Sequence, residues 1–202
     1  MSDDDSPQFN ADLLIRAYAQ GVFPMAEPGT GEIYWYHPDP RAILPLDTFH
    51  ISKTLRKRVR SNIYEIRIDT VFSKVMQECA KPRSDESDSW IDQRIIDAYS
   101  ELHDMGLAHS VEAWQNDELV GGLYGVSING LFAGESMFGR QTDASKVCLV
   151  HLVEHLKQRG YSLLDVQFQN NHIAQFGVIE IPRAQYMQRL QDALESHTCW
   201  SD

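Results

Sequence analysis

The sequence predicts an α+β fold: a central, mostly antiparallel sheet flanked by helices, with a small loop-rich unit ahead of it. Three observations carry this. Residues 109–137 read as three consecutive strand-like runs, separated by Asn116-Asp117 and by Asn129-Gly130, the strongest short hairpin signal in the chain. A helical pattern over 144–159 then leads directly into a further strand at 163–168, which departs from strict strand-helix alternation. Finally, Pro24, Pro28, Gly29, Gly31, Pro38, Pro40 and Pro45 punctuate the aromatic run Ile33-Tyr34-Trp35-Tyr36 and leave room for short strands only. The boundary falls near residue 46, giving a small N-terminal domain over 1–45 and a larger one over 46–202.

Element by element, residues 11–21 form a short helix with Leu13, Leu14 and Tyr18 on one side and Gly21 as its stop. Ile51, Leu55 and Val59 make an apolar stripe, and Lys53, Arg56, Lys57 and Arg60 gather on the opposite face of that helix. A strand over 64–68, a helix over 70–79, a polar loop over 81–89 and a helix over 91–105 stopped by Gly106 follow. In the meander, Gly121, Gly122 and Gly125 lie within a strand, where glycine marks a bulge or a close approach. Glu135 sits on the third strand with Leu131, Ala133 and Met137 as same-face neighbours. Leu149, Leu152, Val153 and Leu156 give the next helix its core face, and Gly160 ends it. Asp165 and Gln167, two apart in the last strand, share a face about 7 Å from each other.

At 202 residues the chain can bury a sizeable core. Three scattered cysteines, no apolar run of about 18 residues and an acidic start predict a soluble protein of the reducing cytosol. The net charge of -11 argues against a general nucleic-acid binder, yet five of the eighteen basic residues lie between Lys53 and Arg60 while acids collect at Asp3 to Asp5 and Asp85 to Asp88. From charge alone the 53–60 face reads either as a solvated helix surface or as a phosphate contact. His151-Leu152-Val153-Glu154-His155 matches a zinc-protease pattern, but both histidines fall opposite the core stripe and face solvent unless another segment covers them. No dinucleotide fingerprint, phosphate loop or nucleophile elbow occurs.

The sharpest group is Glu135, Asp165 and Gln167: two carboxylates and an amide within apolar strands, where an unpaired charge costs several kcal/mol. They form either a buried polar tie between two strands or a site that takes up an amine. An α-amino group has a pKa of about 7.7 to 8.0, so modest help yields a neutral nucleophile.

At these residues the chain resembles the bacterial leucyl/phenylalanyl-tRNA-protein transferases. Ala17-Tyr18-Ala19-Gln20-Gly21-Val22-Phe23-Pro24 is similar to an early family segment, and Trp35 to Ala42, with Pro38-Asp39-Pro40-Arg41, to the next. The match continues through His109-Ser110-Val111-Glu112, Leu119 to Gly125, Phe132 to Phe138, Ala144-Ser145-Lys146 and Asp165 to Gln167, and closes at Glu180-Ile181-Pro182-Arg183. The resemblance implies a GNAT-like acyltransferase domain that uses no coenzyme A. The activity it implies is movement of leucine or phenylalanine, and methionine as a further donor, from tRNA to the N-terminal Lys or Arg of proteins in the cytoplasm, marking them for degradation by the N-end rule. It implies no ATP, metal or other cofactor. Asp165 and Gln167 match the proposed catalytic pair and Glu135 an acid beside the acceptor. Leu123, Phe132, Leu149, Leu152 and Leu164 match the donor side-chain pocket, although a regular strand points Leu164 away from Asp165. Trp90 matches an aromatic at the aminoacyl-adenosine end, Met25 replaces a family tryptophan there, and Lys53, Arg56, Lys57 and Arg60 fall in the tRNA-contacting helix. Beside the family pattern, the chain is expected to lack its longer N-terminal lead and C-terminal tail. The chain is expected to act as a monomer.

Three rivals stand beside this reading. One is a leucyl transferase for acidic N-termini. Another is an acyl-coenzyme A N-acyltransferase, against which Arg140-Gln141-Thr142-Asp143-Ala144 lacks the glycines of a pyrophosphate loop. The third is a tRNA-binding module without catalysis.

Overall fold

The computed structural model of the chain describes residues 9–27, 29–82 and 89–201. The two acidic clusters, Asp3 to Asp5 and Asp85 to Asp88, lie outside them. Helix α1 (Ala11–Ala19) starts where Asn10 Oδ1 accepts from the Leu13 amide at 3.0 Å, and it buries Ala11, Leu14, Ala17 and Tyr18. It stops at Gly21, whose φ of +72° suits glycine; a β-carbon there would also press on Met187 and Tyr186 at 3.0 Å. Strands β1 (Phe23–Ala26) and β2 (Ile33–Tyr36) then pair as a separate antiparallel hairpin.

The chain next enters the main sheet sooner than the sequence suggests. Strand β3 (Arg41–Ile43), on the N-terminal side of the expected boundary near 46, is fully buried and pairs on both edges within a seven-stranded sheet. A three-residue strand behind a run of prolines carries no periodicity to betray it. Helix α2 (Lys53–Arg60), strand β4 (Glu65–Ile68) and helices α3 (Phe72–Cys79) and α4 (Gln93–Asp104) follow as expected. So do β5 (Ala108–Gln115), β6 (Glu118–Ile128), β7 (Leu131–Gly139), α5 (Ala144–Arg159) and β8 (Leu163–Gln167). The C-terminal elements, α6 (Asn171–Ala174), β9 (Ile179–Ile181) and α7 (Arg183–Leu194), have no counterpart in the sequence reading. Helix α7 buries only Tyr186, Leu190 and Ala193, a stripe too sparse to announce itself.

The large sheet runs β4-β5-β6-β7-β8-β3-β9, and β7–β8 is its one parallel pair among the described residues. Helices α2 and α5 cover one face around Leu123, Phe132, Leu152 and Leu164. The other face, around Tyr18, Tyr99, Tyr124 and Ala133, is covered by α3 and α4 with α1 beyond them. Buried Glu112 accepts the Thr70 and Val71 amides, both at 2.9 Å, and Trp114 Nε1 at 3.1 Å, which ties β5 to the start of α3. No helix among the described residues is long and apolar enough to cross a membrane.

One strand departs from its sequence pattern in a way that builds the site. Gly134 pairs with Gly125 and Ser136 with Tyr124, so Glu135 is the extra residue of a β-bulge. The bulge reverses the alternation after it. Ala133 faces the α3–α4 side, but Met137, expected on the same face, packs with the opposite core. Gly125 permits the kink: a β-carbon there would lie 2.3 Å from the Ala133 carbonyl oxygen and 2.4 Å from the Phe132 ring.

Candidate active site

Strands β7 and β8 are in register at Leu131–Leu163, Phe132–Leu164 and Ala133–Asp165, and beyond that both continue without pairing to each other. A cavity of about 220 Å³ opens in the split. Because it sits in a gap between strands, it draws on both faces of the sheet. Leu123, Leu149, Leu152 and Leu164 form apolar wall, Glu135 and Gln167 the polar wall, and Met25 and Trp90 also line it. Leu164 and Gln167 therefore meet one space despite opposite strand parity. Gln167 itself has φ +64°, a left-handed conformation in which glutamine is uncommon, held at the end of β8.

The polar wall is a connected network. Gln167 Nε2 donates to Glu135 Oε1 at 2.9 Å, and the Tyr99 hydroxyl donates to Glu135 Oε2 at 3.3 Å. Tyr99 is in turn hydrogen-bonded to the Tyr18 hydroxyl of α1. Burial pushes the Glu135 carboxyl up to about 7, against the hydrogen bonds of Tyr18 and Gln167. Burial, then the Glu135 charge, raises both tyrosines, so they stay donors.

Asp165 is placed differently. It is fully buried and does not line the cavity. Arg41 grips it with two bonds, Nε to Oδ1 at 2.9 Å and Nη2 to Oδ2 at 2.6 Å. The Tyr186 hydroxyl gives Oδ2 a bond of 2.8 Å and the Gln167 backbone amide gives Oδ1 one of 2.9 Å. Four donors fill the carboxylate's usual capacity. Arg41 also donates to the Gly21 carbonyl at 3.1 Å and lies 4.6 Å from the centres of both the Phe23 and Tyr186 rings. One guanidinium thus joins the N-terminal hairpin, β8 and α7.

Residues 8–39 match the leucyl/phenylalanyl-tRNA protein transferase N-terminal domain, and residues 43–191 match the leucyl/phenylalanyl-tRNA protein transferase model. A leucyl/phenylalanyl-tRNA–protein transferase of Paramagnetospirillum magneticum is 53% identical over 193 residues, 95% of this chain and 92% of that protein. One from Herpetosiphon aurantiacus is 56% identical over 191 residues, 94% of this chain and 95% of its own length. The chain belongs to the leucyl/phenylalanyl-tRNA–protein transferase family. It is an aminoacyltransferase, as the resemblance in its motifs implied. Among solved structures, the C-terminal domain of a putative lysylphosphatidylglycerol synthetase from Agrobacterium fabrum aligns at 11% identity with a TM-score of 0.44, covering 82% of this chain and 54% of that one. That likeness is too loose to add to the assignment.

In this transferase, Glu135, Gln167, Leu123, Leu149, Leu152, Leu164, Trp90 and Met25 share the cavity. Phe132 does not line it: its ring stacks on Trp200 at 5.5 Å, behind the wall, because the tight approach of Gly125 seats it there. Asp165 stands one residue behind the polar wall. Lys53, Arg56, Lys57 and Arg60 are exposed on α2, which carries no acidic residue. Sequence reasoning missed the roles of Arg41, Tyr186, Tyr99 and Phe168. Phe168 lines the cavity and meets Phe23 edge-on at 5.7 Å. Of the two helix histidines expected to face solvent, His155 is covered by Trp200, whose carbonyl lies 3.0 Å from its Nε2. Among the described residues, Asp69, His103 and His109 have metal-ligand spacing. They do not line the cavity, and Asp69 is occupied by His109 at 2.8 Å and by the Ser110 amide at 2.8 Å.

Proposed function

We propose that this transferase moves leucine or phenylalanine from tRNA to the α-amino group of proteins that begin with Lys or Arg, as a cytoplasmic monomer, marking them for degradation. The observation that supports this best is the shared cavity, which faces an apolar wall of four leucines with the Glu135–Gln167 pair. The donor side chain fills the apolar wall, where one methylene changes discrimination by about 1 to 3 kcal/mol. The terminal adenosine lies against Trp90 and Met25, a base stacked on an aromatic being worth about 1 to 3 kcal/mol.

The acceptor arrives as an ammonium. Glu135, titrating at about 7, takes one proton from it, a good match to an amine whose pKa is about 7.7 to 8.0. With Nε2 committed to Glu135, Gln167 turns its carbonyl oxygen to the remaining N–H groups. The neutral amine attacks the ester carbonyl, the ester C–O bond breaks, and the ribose oxygen leaves with a second N–H proton. An ester becomes a more stable amide, so the step runs downhill, and positioning supplies much of its rate. Asp165 acts through Gln167: its carboxylate fixes the Gln167 amide at 2.9 Å and hence the unusual backbone that aims the side chain.

The test is direct. Incubated at low salt with leucyl-tRNA and peptides beginning with Arg or Glu, the protein is expected to add one leucyl residue, read by mass, to the Arg peptide alone. Addition to the Glu peptide alone establishes the acidic-acceptor rival, and tRNA binding without any mass gain establishes a binding module.

A further inference from the structure

Next to the donor cavity lies a second, of about 600 Å³, which shares Met137, Asn170 and Ile173 with it. Among the described residues its wall carries Lys81, Arg140 and Lys146 against Glu78 and Asp143, three cations to two carboxylates in a chain of net charge -11. Both Lys81 and Arg140 reach the same carboxylate, Glu78, whose side chain is only 10% exposed. The two cations are themselves 59% and 51% exposed, so each keeps a face open to an anion. Lys146 pairs with Asp143 at 3.1 Å.

The segment bearing the basic helix α2 is tied down at both ends, at one of them between the cavity-lining Gln141 and Asp143. The Tyr64 hydroxyl donates to the Thr142 carbonyl at 2.8 Å, and the His50 amide donates to the Phe176 carbonyl at 2.9 Å. Between these ties α2 packs on α5, whose first turn supplies Ser145 and Lys146 to the cavity wall. The molecule therefore gathers a basic helix, a cavity lined by cations and an apolar pocket around one helix, α5.

We infer that the second cavity holds the single-stranded 3′ end of the donor, with Arg140, Lys146 and Lys81 against its phosphates. This rests on the reading that the donor is an aminoacyl-tRNA. Such a donor offers a duplex stem, a short unpaired 3′ tail and an esterified amino acid, and the second cavity adjoins the pocket proposed for the last of these. Phosphate contacts fix register without reading sequence, which suits a tail common to all tRNAs. The alternative occupant, the acceptor chain behind its first residue, carries no phosphates for the exposed Lys81 and Arg140 to pair with.

The test compares two minimal donors, the phenylalanyl ester of adenosine and that of the trinucleotide cytidylyl-cytidylyl-adenosine. Arg140→Gln and Lys146→Gln are each expected to raise KM for the trinucleotide donor at least fivefold more than for the adenosine donor. The slope of log KM against log salt for the trinucleotide donor becomes shallower by about 0.7 for each cation removed. Equal effects on both donors would mark the two residues as structural and overturn the inference. A rise confined to the KM of the peptide acceptor would give the cavity to the acceptor and overturn it too. If wild type uses neither minimal donor nor leucyl-tRNA, the aminoacyl-transfer reading fails and the inference fails with it.

Discussion

Arg41→Met is expected to lower folding stability by about 3 to 5 kcal/mol and to abolish transfer. The substitution leaves the Asp165 carboxylate fully buried without its counter-ion, and an orphaned buried charge costs about that much. The double variant Arg41→Met with Asp165→Leu separates the two effects. Replacing both partners of a buried ion pair by apolar groups is often neutral for folding, so urea denaturation is expected to return most of the lost stability. Transfer is not expected to return. Without Asp165 the Gln167 backbone N–H loses its carboxylate partner, and a reactive group displaced by about 1 Å costs about 10²-fold in rate. A single variant losing less than about 1 kcal/mol would contradict this account of the pair.

Glu135→Gln is expected to trade activity for stability, with a pH dependence that identifies the group. The folded pKa of Glu135, about 7, lies above its ordinary 4.5. A carboxyl raised in this way adds stability while protonated; that contribution is complete below the ordinary value and is lost as pH rises through 7. The shift corresponds to at most about 3 kcal/mol, and water entering the open cavity reduces it. The glutamine variant should therefore match wild type near pH 5 and exceed its stability by about 2 kcal/mol at pH 8. Transfer falls by about 10²- to 10⁴-fold, the usual contribution of general acid–base catalysis. Equal stability of the two proteins at pH 8 would show that Glu135 is ionised without cost.

Much of this was legible in the sequence because it depends on local pattern. The Asn129-Gly130 hairpin, the Gly21, Gly106 and Gly160 helix stops and the core stripe of α5 are all short-range signals, and the elements fall where they indicate. Glu135, Asp165 and Gln167 stood out because charge and amide are rare in apolar strands. What stayed hidden depends on long-range contact. Arg41 and Asp165 are 124 residues apart, and the strand that delivers Arg41 is only three residues long. The bulge at Glu135 and the left-handed backbone of Gln167 break a period-two pattern without changing residue type, so the sequence predicted a regular face where the fold makes a kink. Leu164 illustrates the outcome. Strand parity set it against the polar group, and the split between β7 and β8 lets both line one cavity.

In the proposed mechanism the amine's proton passes to Glu135 while Asp165 only orients. The most direct measurement is the single-turnover rate of leucyl transfer to an Arg-initiated peptide as a function of pH, in wild type, Glu135→Gln and Asp165→Asn. Wild type should show an inflection near 7 from Glu135, in addition to that of the amine. Glu135→Gln should lose the inflection near 7, and Asp165→Asn should keep it on a lower plateau. Loss of that inflection in Asp165→Asn, with its survival in Glu135→Gln, would contradict the account.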